Sequence, residues 1–257
     1  MSTVEPPLTR RASRRRPPRG RRVTVLAVLG DLLLTAGVVV LLFVGWQLWI
    51  GDAIIGAQFK SEAGALTDEW AAAPAAPSAS ADPTAPSPAE PPALAQPGNG
   101  EVFGVLRIPR LGPDYQFKLA GGVSASVTLD PIGIGHYPDT AMPGQEGNFA
   151  IAGHRGSHGA PFADLPSLRI GDAVIVETPD GWYTYRFRNL EYVRPDGVQV
   201  LLPVPQQPEV QATDKVITMT TCSPRYGSAE RAIAYGVFES FTARADGPPA
   251  SLTSGAA

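Results

Sequence analysis

Three side chains in this sequence have the types and placement needed for acyl transfer. Cys222, the only cysteine in 257 residues, ends the apolar run Val216-Ile217-Thr218-Met219-Thr220-Thr221 and precedes Ser223-Pro224. Arg231 opens a second run, Ala232-Ile233-Ala234-Tyr235-Gly236-Val237-Phe238, and His154 closes a third, Asn148-Phe149-Ala150-Ile151-Ala152-Gly153. A thiol, an imidazole and a guanidinium at strand ends provide a nucleophile, a proton carrier and a cation for a carbonyl oxygen that turns anionic. The cysteine alone is ambiguous, because free Cys is among the most buried residue types. A strand-to-loop edge beside a cation is where a thiolate forms. The other histidines are His136 and His158, and no paired His or Cys ligand spacing occurs. No metal and no cofactor are expected.

The elements that must position these groups read as short strands. They are expected at 102–109, 115–119, 148–152, 172–178, 182–188, 190–193, 215–221 and 233–241, with Pro179-Asp180-Gly181 as a hairpin turn. Brief helices are expected at 124–129 and 163–168. Many short strands, Gly/Pro turns and no long helical period indicate a mainly β fold, a small barrel or sandwich. A domain of about 140 residues folds without disulfides. The acids Asp164, Asp172 and Glu177 look scattered, which argues against a calcium cluster.

The N-terminus places this domain. Residues 1–22 hold eight arginines against Glu5, a net of about +7 on a chain of net −3, so the body is acidic. Nucleic-acid binding by the body is excluded on that ground. Residues 23–50 are almost entirely apolar, with Asp31 the only charge, and the uncharged part from Leu32 to Ile50 spans about 28 Å as a helix. Trp46 and Trp49 suit an interfacial belt. A cleaved signal peptide is the alternative, but its apolar core is usually about 7–15 residues. A single-pass anchor with a cytoplasmic N-terminus and an external body is expected. Within 51–99, Gly51 to Trp70 reads as a juxtamembrane helix, and the Ala/Pro/Ser-rich residues 71–98 read as an extended linker reaching about 80 Å. The barrel is expected over 100–243 and a disordered tail over 244–257.

With these motifs assembled, the chain resembles the sortase family of membrane-anchored cysteine transpeptidases. The resemblance rests on Thr218-Met219-Thr220-Thr221-Cys222 with Arg231, and on Ile151-Ala152-Gly153-His154-Arg155. Gly133-Ile134-Gly135-His136-Tyr137-Pro138-Asp139-Thr140-Ala141-Met142-Pro143-Gly144 is similar to the class E branch, typical of actinobacteria. It implies a closed β-barrel of about eight strands with short helices, preceded by one transmembrane helix. By the same resemblance, Cys222 is the nucleophile, His154 the general acid/base and Arg231 the stabiliser of substrate or oxyanion. The implied partners are surface proteins with a Leu-Ala-x-Thr-Gly or Leu-Pro-x-Thr-Gly signal, cleaved between Thr and Gly, and a peptidoglycan amine. Tyr137, Thr220, Thr221 and His136 are the candidate substrate contacts. Two other readings stay open: an exported cysteine peptidase or peptidoglycan L,D-transpeptidase, and a non-enzymatic β-domain on a stalk. Thr-Thr-Cys-Ser-Pro departs from the Ser-x-Gly-Cys expected of the L,D-transpeptidases, and a strand rather than a helix N-terminus precedes the cysteine.

Overall fold

Strand alternation decides the architecture. In a computed structural model that describes residues 24–46, 50–73 and 90–253, eight strands form. These are β1 (Val102–Arg107), β2 (Gln116–Gly121), β3 (Ile134–His136), β4 (Gly147–Gly153), β5 (Ala173–Thr178), β6 (Gly181–Val193), β7 (Lys215–Ser223) and β8 (Glu230–Ala243). They close a barrel in the order β1-β2-β3-β4-β7-β8-β6-β5. The β2–β3 and β4–β7 pairs are parallel and the others antiparallel. Period-two alternation sends Phe117, Phe149, Ile151, Ile217, Met219 and Tyr185 into the interior core.

Most expected strands fall where they were read. The runs 182–188 and 190–193 are one strand, β6, whose pairing with β8 shifts between Phe187 and Asn189. The bulge explains why it reads as two. β3 was not foreseen as a strand, because three residues including a glycine carry no alternation to detect.

The outer face of the barrel is covered by segments that were expected to be independent of it. Helix α2 (Gly51–Ala72) buries Gly56, Phe59, Ala63 and Thr67, a one-sided stripe, and packs on β2. Lys118 pairs with Glu62, and Gln116 Nε2 donates to the Lys60 carbonyl at 2.8 Å. The far end of the linker also docks: Tyr183 Oη donates to Pro92 O at 3.1 Å and Gln96 Nε2 to Thr140 O at 2.7 Å. The linker therefore joins two segments that both lie on the barrel, and its length does not set the reach of the domain. Its central residues 74–89, the Arg-rich head, Trp49 and residues 254–257 lie outside the described residues.

The tail expected to be disordered from residue 244 is ordered to Thr253. Short helix α3 (Ala250–Thr253) brings Leu252 against Ala173, Ile175 and Trp182. The anchor for this tail is Glu177, buried on the outer face of β5. Its carboxylate accepts from Arg107 Nε at 2.7 Å and from Arg244 Nη2 at 3.1 Å. Arg107 also donates to Thr67 of α2, while Arg244 stacks over Trp182 with its carbon 4.7 Å from the ring centre. One carboxylate ties β1, β5, α2 and the tail together. Asp164 and Asp172 also face arginines, each 3.8 Å away.

Apart from the barrel, α1 (Val25–Gly45) is 21 residues long with a mean hydropathy of 2.6. It is the one helix among the described residues long and apolar enough to cross a bilayer, which fits a single-pass anchor.

Replacing Glu177 by Ala removes the one carboxylate shared by Arg107 and Arg244. We expect Glu177→Ala to lower unfolding free energy by about 3 kcal/mol. A urea melt with the same midpoint as the parent would remove the clamp from this account.

Candidate active site

Register brings the candidate side chains to one rim of the barrel. Along β7, Ile217 and Met219 face the interior, so Thr218, Thr220 and Cys222 face outward. Cys222 pairs across the antiparallel ladder with Arg231, placing the two side chains on the same outer face. On the other side of β7, the parallel ladder runs to Ala152 opposite Thr220. Two more residues in that register set His154 alongside Cys222. Thr221, pointing the other way, donates its hydroxyl to the Gly153 carbonyl at 2.8 Å and ties the two strand ends together.

The thiol is half-buried and free. His154 is held by a residue the sequence motifs do not mark: its Nε2 lies 2.7 Å from Asp130 Oδ1. A carboxylate can only accept, so Nε2 carries the hydrogen and Nδ1 keeps a lone pair. Asp130 immediately follows the turn Ala125–Leu129, in the connection between β2 and β3. Arg231 is not aimed at the thiol, since its Nη1 donates to the carbonyls of Ser228 and Glu230 at 3.2 and 3.0 Å. Arg155 reaches the same edge, with Nη1 3.4 Å from Ser223 Oγ. The Asp–His contact could have been suspected only from a three-dimensional neighbour, because 24 residues separate the partners.

Tyr137 and Thr220 meet on this outer face, Tyr137 Oη lying 3.0 Å from Thr220 Oγ1. Beyond them the 194–214 connection crosses the face of β4 and β7. Asn148, buried, donates through Nδ2 to the carbonyls of Val200 and Leu202 and accepts from Thr218 Oγ1 at 2.6 Å. Tyr137 on one side and this connection on the other flank the outer face that carries Cys222. Thr221 contributes no free hydroxyl to it.

His136, the other candidate contact, does not lie on this face. It is 1% exposed, stacks on Phe149 with ring centres 5.2 Å apart, and meets Phe103 edge-on. Its Nε2 donates to Ala141 O at 3.1 Å. Alternation explains the correction: Tyr137 faces outward, so the residue before it faces in. Burial holds the His136 imidazole below its ordinary value of 6.5, and the Ala141 carbonyl pulls it partly back.

The absence of metal-ligand spacing along the sequence is also superseded in part by the fold. Asp130, His154 and His158 present donor atoms within 4.8 Å of one another.

Known proteins are similar to this chain over most of its length. The model of the Sortase domain matches residues 106–239. Sortase SrtE1 of Streptomyces coelicolor is 36% identical over 260 residues, covering 99% of this chain and 67% of that protein. Sortase SrtE2 of the same organism is 31% identical over 234 residues, covering 87% of this chain and 85% of its own length. Among solved structures, the SrtA sortase of Actinomyces oris matches with a TM-score of 0.60 and 37% identity, over 63% of this chain and 93% of its own. Sortase E1 of Streptomyces coelicolor, solved with a tripeptide in its active site, matches with a TM-score of 0.56 and 37% identity, over 62% and 99%.

The buried His136 has a pH consequence. Its folded pKa lies below the unfolded one, so the unfolded chain binds the extra proton between the two values. Its contribution to stability is present above about pH 6.5 and lost as pH falls through the window beneath. We expect the melting temperature to fall below pH 6.5 more steeply for the parent than for His136→Gln. Parallel curves would mean that another group controls the acid limb.

Proposed function

We infer, for a chain that belongs to the sortase family of cysteine transpeptidases, that Cys222 is the nucleophile, His154 the general acid/base and Arg231 the stabilising cation. The observation that carries this reading is the strand register: Arg231 pairs with Cys222 across β7 and β8, and the parallel β4–β7 ladder runs to Ala152 opposite Thr220, two residues short of His154 and Cys222.

The proposed substrate is a protein ending in a Leu-Ala-x-Thr-Gly or Leu-Pro-x-Thr-Gly sorting signal, lying on the outer face beside Tyr137 and Thr220. The Cys222 thiolate adds to the threonine carbonyl carbon, and the oxygen takes the negative charge. Arg231 stabilises that charge after leaving its own loop carbonyls, which lie in the same turn. His154 delivers a proton to the departing glycine nitrogen, and a thioester remains. An amine of the peptidoglycan then attacks, His154 accepts its proton, and the thiolate leaves as a new amide forms. Asp130 supports this cycle by holding the imidazole with Nδ1 available as the base and by stabilising the imidazolium.

The location follows from the N-terminus. The arginines before α1 favour a cytoplasmic head, 1–22, and an external barrel, 100–243. The packing of α2 on β2 supports counting Gly51–Ala72 with the catalytic unit rather than with a spacer.

The test uses the full chain in detergent with a Leu-Ala-x-Thr-Gly peptide and a glycine peptide. Mass spectrometry is expected to show the ligated peptide and, without added amine, an acyl adduct on Cys222. Hydrolysed peptide alone would favour a peptidase, and a fully active Cys222→Ala would sink the nucleophile assignment. His154→Ala is expected to lower kcat by about 10²–10⁴-fold. Asp130→Ala should cost a smaller part of that, with KM little changed.

A further inference from the structure

The residues around His154 are arranged for more than proton transfer. Asp130 Oδ1 is 2.7 Å from His154 Nε2 and 3.7 Å from His158 Nδ1, and the two imidazole rings have centres 4.9 Å apart. Two imidazoles and a carboxylate are the donor set of a zinc site that keeps one position open. With Zn–N and Zn–O bonds of about 2.0–2.2 Å, tetrahedral donors stand about 3.3 Å apart. The close Asp130–His154 pair must open and the Asp130–His158 pair must close by about half an ångström each, and the two imidazole nitrogens, which lie within 4.8 Å, must close by up to about 1.5 Å. Rotation of these partly exposed side chains is the movement the site requires. All three groups are partly open to water, with side-chain exposures of 35%, 23% and 45%, so an ion can enter.

The loop that brings His158 here is built rather than slack. His158, Gly159 and Ala160 have φ of 50°, 75° and 43°, three successive left-handed residues, two of which carry a Cβ. Such a conformation persists only when its surroundings hold it. Gly56 of α2 supplies that support. A Cβ on Gly159 would stand 3.0 Å from the Gly56 nitrogen and 3.1 Å from the Phe59 ring, so helix and loop meet backbone to backbone. An ordinary loop histidine needs no such bracing.

We propose that Asp130, His154 and His158 form a Zn²⁺ site whose occupation switches the enzyme off. The proton count gives the reason. A neutral imidazole has one ring proton; zinc bonds the Nε2 lone pair of the tautomer that carries this proton on Nδ1, so the proton is exchanged through water from Nε2 to Nδ1 and the working tautomer is lost. The ring then cannot accept a proton from the thiol or the attacking amine, nor become the imidazolium. Zinc also takes the Asp130 oxygen that fixes the working tautomer. The inference rests on the assignment of His154 as acid/base, and its site lies wholly outside the thiol.

The experiment uses the full chain in detergent after chelator treatment, with Zn²⁺ or Co²⁺ as the only additions. Zn²⁺ is expected to stop peptide ligation and EDTA to restore it. Co²⁺ should give the visible bands of a nitrogen/oxygen site, without a thiolate charge-transfer band, and Cys222→Ala should bind it equally. His158→Ala, outside the proposed catalytic groups, should keep its basal rate and need about tenfold or more Zn²⁺ for half-inhibition. Equal inhibition of His158→Ala, or a cobalt–thiolate band that vanishes in Cys222→Ala, would overturn the site. A ligation-competent Cys222→Ala that still binds Co²⁺ would fault the nucleophile assignment and leave the metal site standing.

Discussion

Parallel pairing of β4 with β7 is the constraint from which the rest of the site follows. Because the two strands run the same way, their C-terminal ends leave the barrel at the same rim, and His154 emerges beside Cys222. An antiparallel pair would put them at opposite rims, roughly a strand length apart. β8 then returns antiparallel from that rim, so Arg231, the second residue of the strand, stands opposite the cysteine. Parallel neighbours cannot be joined by a tight turn. The intervening chain is long enough to hold β5, β6 and the 194–214 connection, whose Val200 and Leu202 carbonyls reach Asn148 on β4.

The outer shell serves the same rim. Glu177 holds α2 and the C-terminal tail to the barrel through Arg107 and Arg244, replacing water on a buried carboxylate with two guanidinium partners. The docked α2 then meets the loop carrying His158 where two glycines touch. Removing side chains at that contact lets the helix lie close enough to brace a left-handed turn. Stability on one side of the barrel and geometry at the other are thus linked through one helix.

The histidines show how environment assigns work to a common residue type. His136 lies buried among Phe103 and Phe149, which favours its neutral form, while the Ala141 carbonyl on Nε2 pulls the other way. His154 has a carboxylate on Nε2 and partial access to water. His158 adds a second imidazole to the same carboxylate. The three rings are told apart by their neighbours rather than by their own chemistry.

Local patterning made the barrel legible. Alternation marked seven of the eight strand positions, and an uncharged apolar run marked the helix that fits a membrane anchor. The Cys222, His154 and Arg231 motifs could be read because each lies within a few residues of its own strand end. Asp130, the docking of α2 and the inward turn of His136 could not be read that way. Asp130 is an ordinary acid after an ordinary turn until β2 and β3 pair in parallel and the barrel closes. The linker looked like a tether because composition reports that a segment does not fold alone, not where its ends are fixed. Sequence by itself determined which groups sit at strand ends and which segments alternate, since both are set by neighbours along the chain. Tertiary structure alone decided which ends share a rim, which carboxylate meets which imidazole, and what braces the loop, because those depend on pairing between distant segments.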